Sequence, residues 1–133
     1  MLIKHWRDKK QKKLNNSLKV AILSKRLPEV RESLCQGADP NALLTDREYA
    51  LDLAMQVESV PIIDALLAAG GDPRKPYHFG GENWLRSDFA RWAGKNEAIV
   101  NRLSQAEQEA ESQYGSVLQY QYINPYNFPK FMY

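Results

Sequence analysis

The chain has 133 residues, with 44% hydrophobic and 26% charged residues. That suits one soluble domain, or a domain with a tail. No apolar run approaches the roughly 20 residues of a membrane helix, and the first residues lack a signal peptide's apolar core. One cysteine, Cys35, excludes a disulfide framework or a cysteine metal cage and points to a reducing cytosol. The net charge of +2 is uneven: residues 1–19 hold seven bases against Asp8, a net +6, while the rest carries −4.

Residues 1–14 read as a basic arm or capping helix, with Met1, Leu2, Ile3 and Trp6 packing and the lysines turned outward. Such an arm suits nucleic acid, anionic lipid, an acidic partner or simple solvation.

A period of 33 residues follows. Leu18-Lys19-Val20-Ala21-Ile22 matches Leu51-Asp52-Leu53-Ala54-Met55, and Leu27-Pro28-Glu29-Val30 matches Val60-Pro61-Ile62-Ile63. Leu34-Cys35-Gln36-Gly37-Ala38-Asp39-Pro40 matches Leu67-Ala68-Ala69-Gly70-Gly71-Asp72-Pro73. Each repeat reads as helix, turn, helix, loop. Ala21 and Ala54 admit a close neighbour. Pro28 and Pro61 sit in the first turn of the second helix, and Ser59 is placed to cap one of them. Gly37 and Gly70 supply left-handed helix ends, and the Asp-Pro pairs open turns.

These motifs resemble the ankyrin repeat family over roughly residues 15–106. The expected fold is all-α: a solenoid of stacked helix-turn-helix repeats, at about 15–44, 45–77 and 78–106, with projecting loops. The third repeat is divergent. Phe89-Ala90 replaces Leu53-Ala54, and Gly94, Ile99 and Leu103 replace Glu58, Ile63 and Leu67 after a loop about three residues longer. The family's Thr-Pro-Leu-His turn reads Tyr49-Ala50-Leu51-Asp52 here. That helix is expected to start less rigidly unless Thr45 or Asp46 caps it.

Residues 107–133 read as a helix extension and an aromatic tail; 104–113 are expected to be exposed. Tyr114, Tyr120, Tyr122, Tyr126, Phe128, Phe131 and Tyr133 are seven of fourteen aromatics. The tail either lies back on the repeats or docks on a partner.

No enzyme constellation, cofactor or metal set is found. Cys35 is expected to be a buried or half-buried structural thiol. His78 with Glu82 reads as a loop contact, and Gly80-Gly81 lacks the residues of a phosphate loop. The resemblance implies protein binding through loop tips and the open side of the inner helices. By position these are Leu23, Gln56 and Trp92, with Leu43, Thr45, Asp46, Glu48, Tyr77, His78, Phe79 and Trp84 on the loops. Arg86 and Arg91 lie nearby. Trp84 and Trp92 serve either a partner or the end of the stack. The expected function is a non-enzymatic inhibitor, immunity-type protein or adaptor holding one protein partner, such as a toxin or enzyme. No membrane partner is expected. Weak nucleic-acid association through the arm, or a homo-oligomer built on the tail, is the alternative.

Overall fold

Apolar residues three and four apart in Leu14, Leu18, Ala21 and Ile22 make one helix face, and in the computed structural model that helix is α1 (Leu2–Leu23). The structure describes residues 2–114. The aromatic tail lies outside the described residues, as do Met1 and the side chain of Tyr114. The chain divides between Gly71 and Asp72 into two compact bodies.

In the first body α2 (Leu27–Cys35), α3 (Ala50–Gln56) and α4 (Val60–Ala68) follow α1. Two helix pairs result. α1 packs on α2 and α3 on α4, while α1 also meets α3 and α2 meets α4. The shared core is aliphatic: Leu18, Ile22, Val30, Leu53, Met55, Ile62, Ile63 and Leu66 are buried. Ala21 and Ala54 are buried too, and their small side chains let backbones approach.

The 33-residue period recurs as backbone geometry. Lys25 and Glu58 both adopt φ 54° at the ends of the inner helices, and Gly94 holds φ 74° at the matching place in the second body. At each, the residue's N–H reaches the carbonyl three back (Ile22, Met55, Arg91), and the next N–H reaches five back (Ala21, Ala54, Ala90). This paired bond closes the orphan carbonyls of a helix end. Gly37 and Gly70 close α2 and α4 the same way, at φ 110° and 98°. Ser59 caps α4 by accepting from the Ile62 N–H at 3.3 Å, and Asp39 and Asp72 fold back onto the N–H groups of Asn41 and Arg74.

Several expectations are corrected. Neither Thr45 nor Asp46 caps α3: Asp52, three residues into the helix, reaches back to accept from the Tyr49 N–H at 2.7 Å. α1 runs unbroken through residue 14, and Leu2, Ile3 and Trp6 are exposed rather than packed. Cys35 is exposed, because it points away from the face carrying Val30 and Ser33.

The second body holds β1 (Tyr77–Phe79), β2 (Glu82–Trp84), α5 (Arg86–Trp92) and α6 (Glu97–Tyr114). The fold is therefore mostly helical with a small two-stranded sheet, not all-α. The hairpin falls across the expected repeat boundary at residue 77. Asn96 caps α6 through the Ala98 N–H. Residues 104–113 are not uniformly exposed: Leu103, Ala106, Glu107 and Ala110 form a buried stripe along α6. Among the described residues no helix is long and apolar enough to cross a membrane.

Candidate functional site

Gly80 and Gly81, at φ 63° and 77°, turn the chain between β1 and β2. Two successive positive φ values match the right-handed twist of a tight hairpin and suit a Gly-Gly pair. The strands pair antiparallel, with Tyr77 opposite Trp84, His78 opposite Asn83 and Phe79 opposite Glu82. Alternation then puts Tyr77, Phe79 and Trp84 on one face.

That face packs on Phe89 of α5. The Phe89 ring lies 4.6 Å from Tyr77, 4.9 Å from Phe79, 5.4 Å from Trp84 and 5.8 Å from Trp92, centroid to centroid. Edge and tilted contacts of this kind favour aromatic pairs beyond the area they bury. The Trp84 indole N–H donates to the Phe79 carbonyl at 3.2 Å, so a buried donor is satisfied within the hairpin. Tyr77, Trp84 and Phe89 are each less than 8% exposed, whereas Phe79 is 45% and Trp92 52% exposed. The two open rings lie 6.1 Å apart. The cluster thus has a buried base and two presented rings.

A polar cluster anchors this base. Arg86 is 1% exposed; its Nη1 donates to the carbonyls of Lys75 at 2.6 Å and Pro73 at 3.4 Å, tying down the turn that leads into the hairpin. Glu107 on α6 accepts from the Ser87 N–H at 3.0 Å and from the Ser87 hydroxyl, capping the first turn of α5 from outside. Burial pushes the Glu107 carboxyl up to about 7, against the two Ser87 bonds and the Arg86 charge, which favour ionisation. Arg91 donates to Asp88 at 3.2 Å. At the start of this body, burial would raise Asp72, but its fork of bonds to Arg74 and the neighbouring Lys75 charge hold it below the ordinary carboxylate value.

The expected binding residues fall into two groups, one in each body. In the first body, Thr45, Glu48 and Gln56 are linked: the Thr45 hydroxyl donates to Glu48 at 3.1 Å, and the Gln56 amide donates to the other Glu48 oxygen. They brace the loop, whose backbone also closes from Leu44 to Glu48. Leu23, Leu43 and Asp46 stand exposed. In the second body, Tyr77, Trp84 and Arg86 are corrected from contact residues to buried supports, because the hairpin folds its aromatic face onto α5. Phe79, Trp92 and Arg91 are presented to solvent. His78 is exposed, and its partner is Asn83 across the strands, not Glu82. The sequence reading left Phe89 and Glu107 out of the site. Phe89 was visible as the core position matching Leu53. For Glu107 the signal was its place in the Leu103–Ala106–Ala110 stripe.

No family model, curated protein or solved structure matches this chain.

Proposed function

We propose that this chain is a non-enzymatic protein-binding module built from ankyrin-like helix pairs. It would hold one protein partner as a small inhibitor, immunity-type protein or adaptor. Helix ends of one geometry, recurring at the repeat positions, support the architecture. A reducing compartment such as the cytosol suits its one exposed thiol.

The observation carrying the binding reading is the pair Phe79 and Trp92, half-exposed on a packed aromatic base. Aromatic anchors dominate interface energetics, and rings held rigid in advance lose little freedom on binding.

The test is affinity capture from the native host with the full chain and with Phe79→Ala/Trp92→Ala, followed by titration of the purified partner. The double variant is expected to bind roughly tenfold or more weakly; because both rings also pack on Phe89, its melting transition should be lower but still cooperative, and binding is compared well below it. A partner held equally by both proteins would reject this surface, and failure to retain any partner would reject the module reading.

A further inference from the structure

The first three turns of α1 do no packing work. Residues 2–10 are exposed without exception, and Leu2, Ile3 and Trp6 are 87%, 66% and 61% exposed. The packing side of α1 runs through Leu14, Leu18 and Ile22. Continued backward at helical spacing it meets Gln11, Arg7 and Lys4, all polar. Gln11 is the last of these to hold the body, donating to the Gly37 carbonyl at 3.0 Å. Leu2 and Trp6 sit to one side of that face, and Ile3 lies along its edge, in line with Ala21 five turns later. Two turns on, at i+7, Leu2, Ile3 and Trp6 are followed by Lys9, Lys10 and Lys13 before any further apolar residue. Lys10 already lies over the Trp6 ring, its Nζ 5.2 Å from the centroid. Residues 2–13 carry six bases and one acid.

We propose that this segment docks on an anionic membrane surface, lying in the interface rather than crossing it. Leu2, Ile3 and Trp6 enter the headgroup–acyl boundary, and Lys9, Lys10 and Lys13 meet lipid phosphates and carboxylates. This departs from the expectation of no membrane partner. Aromatic and aliphatic side chains beside lysines are the makeup of an interfacial helix, and basic residues near such a surface add attraction individually. Two other occupants fit less well. A nucleic acid would use the lysines but leave Leu2 and Ile3 in water. A protein groove that takes a helix reads anchors through a further turn at i+7, and here each i+7 position (Lys9, Lys10, Lys13) is a lysine. A short apolar row followed by cations suits a shallow, charged, deformable surface.

The experiment is co-sedimentation of the full chain with vesicles of phosphatidylcholine alone and of phosphatidylcholine mixed with phosphatidylserine, at low and high salt. Binding is expected with the mixed vesicles only, and weaker at high salt. Leu2→Gln/Ile3→Gln/Trp6→Gln and Lys9→Gln/Lys10→Gln/Lys13→Gln should each lower it roughly tenfold or more. Both variants change exposed residues, and far-UV circular dichroism checks that the helices persist. No wild-type sedimentation, equal binding to neutral vesicles, or an unaffected apolar variant overturns the proposal. So does a result in which a duplex oligonucleotide binds wild type and apolar variant alike while vesicles bind neither.

Discussion

Residues 2–71 bury an almost wholly aliphatic core, with Asp52 as its fully buried acid, spent on capping α3. Residues 72–114 bury Tyr77, Trp84 and Phe89 beside Ile99 and Leu103, and take Arg86, Asp88 and Glu107 out of water as well. The first body therefore draws its stability from the non-directional effect of apolar burial. The second combines ring geometry with a polar network whose members must all be paired. A body of the second kind can hold two rings in place at its surface, but it becomes sensitive to pH and to single polar substitutions. The presented aromatic pair and the buried titratable acid occur in the same body because Glu107 fixes the start of the helix that carries Phe89 and Trp92.

The most severe way to break this contrast is Phe89→Ala. Removing the ring that four other aromatics touch should cost about 3–5 kcal/mol and erase most of the near-ultraviolet circular dichroism. Leu66→Ala in the first body should cost about 2–5 kcal/mol with that signal retained in the folded protein. If the aromatic signal survives Phe89→Ala, the cluster is not organised around Phe89.

Glu107 sharpens the contrast through pH. Its folded-state value, about 7, lies above the ordinary 4.5. The folded protein thus keeps the proton over a range in which the unfolded chain has lost it. Stability from this group is complete below pH 4.5 and is lost as pH rises through 7, by on the order of 3 kcal/mol. Urea unfolding across that range should show the decline in wild type and a flatter profile in Glu107→Gln. At low pH the variant should be nearly as stable as wild type, because its amide oxygen can accept from the Ser87 N–H and its NH2 can donate to the Ser87 hydroxyl oxygen, much as the protonated acid does. An unchanged slope in the variant would assign the pH dependence to another group.

Smaller effects test the repeat geometry. Ser59→Ala removes the side-chain acceptor at the start of α4 and should cost about 1 kcal/mol in thermal unfolding. At the left-handed helix end, Glu58→Gly should stabilise by about 0.5–1 kcal/mol, whereas Gly94→Ala should destabilise by about 1 kcal/mol. Glu58 and Gly94 share one backbone conformation with opposite residue choices. Changes of the same sign at both would mean that the two sites are not equivalent.

Local chemistry explains what was legible beforehand. Gly37 and Gly70 marked left-handed helix ends, Pro28 and Pro61 marked first turns, and Ser59 marked a cap. Each of these depends on residues within one or two turns, so spacing alone carries the information. Phe79 and Trp92 were legible as binding candidates from residue type and position. The positive φ at Lys25 and Glu58 was not, since neither residue type prefers that conformation; the helix ends impose it. The separation of Phe79 and Trp92 from Tyr77, Trp84 and Arg86 was equally hidden. All five are large residues in one stretch, and only the hairpin register and the docking of its face on α5 decide which are covered.

By itself, then, the sequence determined the helix pairs, the glycine-closed ends of α2 and α4 and the placement of the long aromatic loop, because hydrophobic period, glycine and proline act over a few residues. Tertiary structure alone decided that Glu107 is buried against Ser87, that the first turns of α1 stay uncovered and that two rings of five face solvent. Those outcomes depend on which distant segment arrives to exclude water, and burial of that kind has no local signature.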